Sequence, residues 1–390
     1  MIATMFPVGL DRIVDILGHL QSPTIRVNPH QCTRVRHRRS TCTRCADACP
    51  TQAITWRESL KVESDKCIDC GICATVCPTG ALEAQAPTNA ELLGQIKVRV
   101  AENRSVAFAC PRYLETTRVP SVQVVQVKCL GRLDESILFG AVAEGAPSVT
   151  LLDGVCTDCP HAVGRKIAAQ VVQTTNALLT AFGCAHQIVF DARRLSSAEN
   201  ESSSTTPADG MSRRAFFDFL RRETIKATAV TVSSILGSQE TPSTAEAKLP
   251  VGGLPTLVPA KHQLLLTELR KFERPVITAW NGGVWQQFGF NEKCNGCQMC
   301  AFFCPTGALS KLEQDGKLGV AFKPALCTNC RLCQELCNPD GVTLSPTIDL
   351  NQVVNAAVVP LLMVDIESAL WKLSPEERFK KTVLSALAKT

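Results

Sequence analysis

The chain has 390 residues, 45% hydrophobic and 20% charged, an ordinary balance able to bury cores in roughly two to four domains. Its formal net charge of +5 is modest for this length and does not indicate nucleic-acid binding. Its 21 cysteines, odd in number and set in short C-x-x-C steps, exclude a secreted disulfide framework; they imply metal-ligating thiolates in a reducing compartment, so a cytoplasmic location is expected.

The first ten residues are apolar but carry no basic n-region, and Asp11, Arg12 and Asp15 follow at once, which argues against a Sec signal. No apolar run reaches the ~18 residues needed to span a bilayer. The longest, Val353 to Val364, is interrupted by Asn355 and Pro360, so no transmembrane helix is expected. Residues 11–20 place Ile13, Val14, Leu17 and Leu20 on one helical face, and residues 1–30 are read as an N-terminal helix packed on the domain that follows.

Residues 31–86 hold two cysteine runs. The stretch Cys67-Ile-Asp-Cys70-Gly-Ile-Cys73-Ala-Thr-Val-Cys77-Pro78 has the C-x2-C-x2-C-x3-C-P spacing of a bacterial-type [4Fe–4S] ferredoxin. Ahead of it, Cys32 and then Cys42-Thr-Arg-Cys45-Ala-Asp-Ala-Cys49-Pro50 repeat the pattern with the first step stretched from two residues to nine. A loop tolerates such an insertion because closure entropy grows slowly with length. In a two-cluster ferredoxin the fourth cysteine of each run serves the other cluster. Cys32, Cys42, Cys45 and Cys77 are therefore assigned to one centre, and Cys67, Cys70, Cys73 and Cys49 to a second. The insertion, Thr33 to Arg39, is strongly basic. It reads as a docking face for an acidic partner, as a positive charge that raises the potential of a nearby cluster, or as a solvated loop. It has no interleaved aromatic for stacking on nucleic acid.

Residues 87–194 change character. Thr88 or Asn89 caps a helix over residues 90–98, and short apolar strands follow at Ser105–Ala109, Val122–Val127, Val149–Leu152 and Gln187–Phe190. Helices at Asp134–Val142 and Ala162–Ala181 separate strands in the manner of a small parallel α/β sheet with right-handed crossovers. Cys110, Cys129, Cys156 and Cys159 fall after the carboxyl ends of three of these strands, where open sheets collect ligands. Four converging cysteines fit a [2Fe–2S] centre, and a Cys156/Cys159 dithiol is the alternative. Cys184, alone at a helix end, reads as a small buried hydrophobe.

This region resembles the iron–sulfur delta subunit of methyl-viologen-reducing hydrogenase, a domain also fused to heterodisulfide-reductase-like proteins. The matching residues are Cys110, Lys128-Cys-Leu-Gly-Arg-Leu-Asp134, Asp158-Cys-Pro-His161 and Gly164, within roughly residues 100–190. The resemblance implies electron passage from a hydrogenase or formate dehydrogenase to a flavin-bearing partner through a [2Fe–2S] centre. Two departures stand out: Tyr113 replaces the second cysteine of the family's usual first pair, and Cys156 and Cys159 are closer than the usual spacing.

Residues 195–285 are read as a linker, rich in Ser, Thr and Pro, with a short helix over Lys261–Phe272. Inside it, Met211-Ser-Arg-Arg-Ala-Phe-Phe resembles a twin-arginine export motif, but its internal position favours an amphipathic helix instead. Residues 286–346 form a second ferredoxin module. Cys294, Cys297, Cys300 and Cys337 are assigned to one [4Fe–4S] centre, and Cys327, Cys330, Cys333 and Cys304 to the other. Residues 347–390 are read as a helical tail, with a last helix opening at Pro375 after Ser374.

The sequence thus predicts an α+β and α/β multidomain chain: two ferredoxin-like 2[4Fe–4S] modules around a small parallel-sheet α/β domain. Its cofactors are four [4Fe–4S] clusters, with one [2Fe–2S] cluster in question. No flavin, pterin or nickel motif is present, so the expected role is a non-catalytic electron-transfer subunit of an oxidoreductase complex. Its expected partners are redox subunits: a hydrogenase or formate dehydrogenase on one side, and a heterodisulfide-reductase-like or flavin/Fe–S protein on the other. Two other readings stay open: a peripheral ferredoxin at the cytoplasmic face of a quinone-linked membrane complex, and a redox enzyme using the Cys156/Cys159 dithiol.

Overall fold

Strand β1 (Ile25–Val27) pairs antiparallel with β4 (Leu82–Ala84), and β2 (Ile54–Thr55) pairs with β3 (Lys61–Val62), in the computed structural model of the chain. The structure describes residues 24–191 and 254–365, apart from 57–58, 103, 118–123, 158 and 339. The helix read over residues 11–20, the twin-arginine-like segment and the helix at Pro375 lie outside the described residues. The first module begins earlier than residue 31, because β1 is its edge and Ile25 is buried in its core with Leu60 and Leu82. Between the strand pairs, single helical turns at Arg44–Asp47 and Ile72–Val76 carry Cys45 and Cys73 inward.

Helix α1 (Asn89–Ala101) leads into the α/β domain. Thr88 caps it with a reciprocal box: Glu91 N donates to Thr88 Oγ1 at 3.2 Å, and Thr88 N donates to the Glu91 carboxylate at 2.8 Å. Strands β5 (Val106–Ala109), β6 (Val125–Gln126), β7 (Val149–Leu152) and β8 (Val189–Asp191) form a four-stranded sheet, order β6-β5-β7-β8, with every pair parallel. Parallel strands need crossovers, and α2 (Pro111–Thr117), α3 (Glu135–Ala143) and α4 (Val163–Ala181) lie between them. Helix α3 is buried continuously from Ser136 to Ala141, because α1, α4 and the later helix α5 (Ala260–Leu269) all pack on it.

Residues 254–285 are not a linker. Leu265, Leu266 and Leu269 of α5, Trp280 on β9 (Ala279–Trp280) and the fully buried Trp285 join one hydrophobic core with Phe139, Leu178 and Ile72. Each such side chain contributes roughly 1.5–3 kcal/mol by leaving water. The core therefore runs without a break through the first module, the α/β domain and the start of the second module.

In that second module, β10 (Gln287–Phe290) pairs with β13 (Val342–Ser345), and β14 (Ile348–Asp349) pairs with β9. A hairpin of β11 (Leu309–Gln314) and β12 (Lys317–Phe322) turns at Asp315-Gly316, both with positive φ. Residues 348–365 depart from the helical reading. After one short helix at Leu350–Val354, residues Val359–Asp365 form strand β15 on the free edge of β12. Pro360, unfavourable inside a helix, is tolerated on an edge strand, where its missing N–H leaves no gap in a central ladder.

Candidate metal centres

The sixteen cysteines of the two ferredoxin modules gather in four cavities. One is lined by Cys32, Cys42, Cys45 and Cys77, and a second by Cys49, Cys67, Cys70 and Cys73. In the second module, Cys304, Cys327, Cys330 and Cys333 line one cavity, and Cys294, Cys297, Cys300 and Cys337 the other. Among the described residues no three or more His, Cys, Asp or Glu draw close enough to hold a single ion. Four cysteines around one cavity, in runs with ferredoxin spacing, are the donor set of a [4Fe–4S] cluster.

Backbone shape explains how the short spacing makes a cavity. The residues on either side of the second cysteine in three runs are left-handed: Asp69 and Gly71, Gly296 and Gln298, Asn329 and Arg331. Successive N–H groups then turn inward as an anion-binding nest of the kind found at Fe–S sites. Amide hydrogen bonds from the Ile72, Gly296 and Leu332 backbones favour the thiolates of Cys70, Cys294 and Cys330. The run beginning at Cys32 lacks this loop, because the insertion before Cys42 replaces it and β-branched Thr41 and Thr43 flank that cysteine. After three of the fourth-position cysteines, a Cys-Pro-Thr step sets a hydroxyl near sulfur: Thr51 at 3.7 Å from Cys49, Thr79 at 3.8 Å from Cys77, and Thr306 at 3.8 Å from Cys304. The run ending at Cys337 has Asn338 and no such threonine.

Electrostatics makes the same point about chemistry. Burial first, and then the neighbouring thiols, push Cys73 up to about 12, and raise Cys45, Cys300 and Cys330 far above the usual thiol range. A quartet of this kind cannot ionise in its cavity without cationic compensation, which iron supplies.

The cysteines of the α/β domain also converge. Cys110 directly follows β5, and Cys129 and Cys156 follow β6 and β7 at the same carboxyl edge. Burial pushes Cys129 up to about 11; among the opposing and reinforcing neighbours are the Gly131 amide and the thiols of Cys70, Cys110 and Cys159. Cys156 is pushed up to about 12 by burial and then by Cys110, Cys129, Asp153 and Cys159. The His161 amide donates to Cys159 Sγ at 3.4 Å. Gly164 is needed for this convergence, since a Cβ there would collide with Cys129 Sγ. Tyr113, in place of a fifth cysteine, is fully buried among Ala109, Val124 and Leu152 and belongs to the core. Cys184 is half-buried against the main core, away from these quartets.

The Lys128–Asp134 stretch ties this domain to the first module. Arg132, almost fully buried, packs its side chain over Gly71 and donates to Pro87 O at 3.0 Å and Asn89 Oδ1 at 2.6 Å. It stands 3.8 Å from Asp134, which caps α3 by accepting from the Ser136 and Ile137 amides. Thr75, within the run of Cys73 and Cys77, donates to Arg132 O at 2.9 Å. Sequence reading gave Arg132 no role. Its signal in the sequence is its place in the Lys128–Asp134 stretch that matches the hydrogenase delta subunit.

Residues 38–90 and 293–340 each match the 4Fe-4S dicluster domain family, and residues 107–206 match the delta subunit of methyl-viologen-reducing hydrogenase. The chain carries two 4Fe-4S dicluster domains with a hydrogenase-delta-like domain between them. Among curated proteins it is 35% identical over 94 residues to hydrogenase-4 component A of Escherichia coli (strain K12), covering 22% of this chain and 43% of that protein. It is 31% identical over 64 residues to pyruvate synthase subunit PorD of Methanocaldococcus jannaschii, covering 16% and 71%. It is 27% identical over 129 residues to DNA-directed RNA polymerase subunit Rpo3 of Methanosarcina acetivorans, covering 28% and 47%. The chain thus spans less than half the length of the hydrogenase and polymerase relatives. No solved structure matches it. Among the described residues no helix is long and apolar enough to cross a membrane.

Proposed function

We propose that the chain is a cytoplasmic relay subunit passing single electrons between a hydrogenase- or formate-dehydrogenase-type oxidoreductase and a heterodisulfide-reductase-like or flavin/Fe–S partner. The observation that carries this reading is the succession of cysteine sets. Each ferredoxin module holds two four-cysteine cavities whose fourth cysteine comes from the other run, and Arg132 of the α/β domain packs over Gly71 within the Cys67–Cys77 run. A bound [4Fe–4S] centre supplies a one-electron couple, with no bond made or broken. The protein's own residues hold it, shield it and set its potential. Cys32, Cys42, Cys45 and Cys77; Cys49, Cys67, Cys70 and Cys73; Cys304, Cys327, Cys330 and Cys333; and Cys294, Cys297, Cys300 and Cys337 would hold the four cubanes. Cys110, Cys129, Cys156 and Cys159 would hold a [2Fe–2S] centre in the α/β domain.

The dithiol reading of Cys156 and Cys159 fares worse, because reactive dithiols need a depressed thiol pKa and burial raises that of Cys156. The polymerase relative does not redirect the proposal, since Arg36, Arg39 and Arg44 of the basic region are engaged within the chain. Affinity purification of the tagged chain from its native cell, under anaerobic conditions, tests the partners. Recovery with hydrogenase, formate dehydrogenase or flavin/Fe–S subunits is expected. Recovery only in membranes with an integral quinone-reactive subunit would replace this reading with the peripheral-ferredoxin one.

A further inference from the structure

The basic insertion between Cys32 and Cys42 does not face solvent as a unit; it lies on the second ferredoxin module. His37 meets the Phe303 ring edge-on at 4.9 Å. Arg39 donates to Asn338 Oδ1 at 2.7 Å, Thr41 Oγ1 donates to the Glu335 carboxylate at 2.8 Å, and Arg44 donates to Asn329 O at 3.1 Å. Arg36 sits at the centre. Its guanidinium donates to His30 O at 2.7 Å, Pro255 O at 2.9 Å, Phe303 O at 3.2 Å and Cys304 O at 3.5 Å.

Arg36 is only 8% exposed, and among the described residues it forms no ion pair with a carboxylate. All of these acceptors are neutral carbonyls. A buried charge is costly unless it is compensated. The available counter-charge is the thiolate set beyond Cys304, and both Cys304 and Cys330 act on Arg36 in that sense. Arg44 lines the cavity of Cys32, Cys42, Cys45 and Cys77 while it reaches Asn329 beside Cys330, so the insertion touches a quartet on each side of the junction. Glu335, held by Thr41, is the opposing charge at the same face.

We infer that Arg36 is a positioning residue that couples the two ferredoxin modules and raises the reduction potential of the centre held by Cys304, Cys327, Cys330 and Cys333. The inference rests on the relay reading above. A guanidinium beside that quartet favours the reduced, more negative state of its centre over the oxidised one. Arg44, exposed and sharing the face with Glu335, contributes less through solvent screening.

The test uses the full, iron-loaded chain and EPR-monitored redox titration, with Cys330→Ser identifying the signal of this centre. Arg36→Gln is expected to lower its reduced-to-oxidised ratio at fixed potential about tenfold, a shift of about 59 mV for one electron. Arg44→Gln should give a smaller change in the same direction, and the centre of Cys294, Cys297, Cys300 and Cys337 should move less in either variant. Arg36→Lys keeps the charge and loses the fork, and should hold the potential near that of the parent. If Arg36→Gln fails to load iron, Arg44→Gln and Arg36→Lys decide together: a lowered midpoint in Arg44→Gln with an unchanged one in Arg36→Lys upholds the charge argument, and an unchanged midpoint in Arg44→Gln or a tenfold drop in Arg36→Lys overturns it. An unchanged midpoint in fully loaded Arg36→Gln also overturns it. A parent chain holding only half the iron would sink the relay reading instead, so the two failures are distinct.

Discussion

Replacing Arg132 by Met keeps the side-chain length and removes the charge that locks the α/β domain to the first ferredoxin module. Two buried hydrogen bonds are lost, to Pro87 O and Asn89 Oδ1, and Asp134 loses its guanidinium neighbour. Removing one member of a buried ion pair costs about 3–5 kcal/mol. The lower end applies here, because Asp134 still accepts from the Ser136 amide and hydroxyl, the Ile137 amide and Asn89 Nδ2. A cost of ~3 kcal/mol is about two tenfold steps in an equilibrium or rate. Because a cluster-bearing chain of this size unfolds irreversibly, the appropriate readout is a rate: anaerobic loss of Fe–S absorbance in urea, about 100-fold faster in Arg132→Met. Adding Asp134→Asn, which leaves a competent helix cap without a charge, should recover at least one of the two tenfold steps. A rate within threefold of the parent in Arg132→Met, or no recovery in the double variant, would refute the reasoning.

Gly164→Ala drives a methyl into Cys129 Sγ and should remove about two irons per chain with the cubane EPR signals intact; unchanged iron content contradicts a centre at Cys110, Cys129, Cys156 and Cys159. Cys184→Ser should leave iron and spectra as in the parent, checked by the same analysis. Burial holds His262 down to about 4, against an ordinary value near 6.5, although its bond to Ala325 O at 2.7 Å pulls the other way. The unfolded chain therefore binds the extra proton between these two values, and stability falls on acidification through that window by up to ~1.4 kcal/mol per pH unit. The difference in thermal midpoint between parent and His262→Gln should thus change between pH 7.5 and 5.5, against the parent, while acid lability of the clusters acts on both alike. Trp285→Ala empties a fully buried site and removes the indole N–H that reaches the same Ala325 carbonyl at 3.4 Å; a loss of about 3–5 kcal/mol is expected in urea-driven release of iron.

Much of the candidate chemistry was legible because it is local. Cubane ligation writes its spacing into a dozen residues, so Cys67 to Cys77 and Cys294 to Cys304 stand out without any fold. The distant Cys32 reads as the cysteine preceding an intact C-x2-C-x3-C-P, and it lines one cavity with Cys42, Cys45 and Cys77. The strands and helices of the α/β domain were legible for a similar reason: short apolar runs alternate with 3.6-period stretches, and Thr88 with Glu91 spells its own cap. What failed depends on distant surfaces. The Thr33–Arg39 insertion reads alike as a docking face, a potential-raising charge or a solvated loop until residues 303–304 and 335–338 lie beneath it. Residues 254–285 look like linker because they follow a Pro/Gly/Ser/Thr-rich stretch, and the partners that bury Leu265, Leu266, Leu269, Trp280 and Trp285 are distant in sequence. Strand β15 looks helical until β12 offers it an edge. Arg132 and Arg36 were invisible as anchors because an arginine's role is set by the carbonyls around it, not by its neighbours in sequence.

The most direct test of the account is the iron content of the anaerobically purified chain, taken with the reduced-cluster EPR spectrum. Four cubane quartets predict about sixteen irons per chain, and about eighteen with the α/β-domain centre filled, together with coupled [4Fe–4S] signals on reduction. Iron near eight, or a spectrum from a single two-cluster ferredoxin, would contradict it.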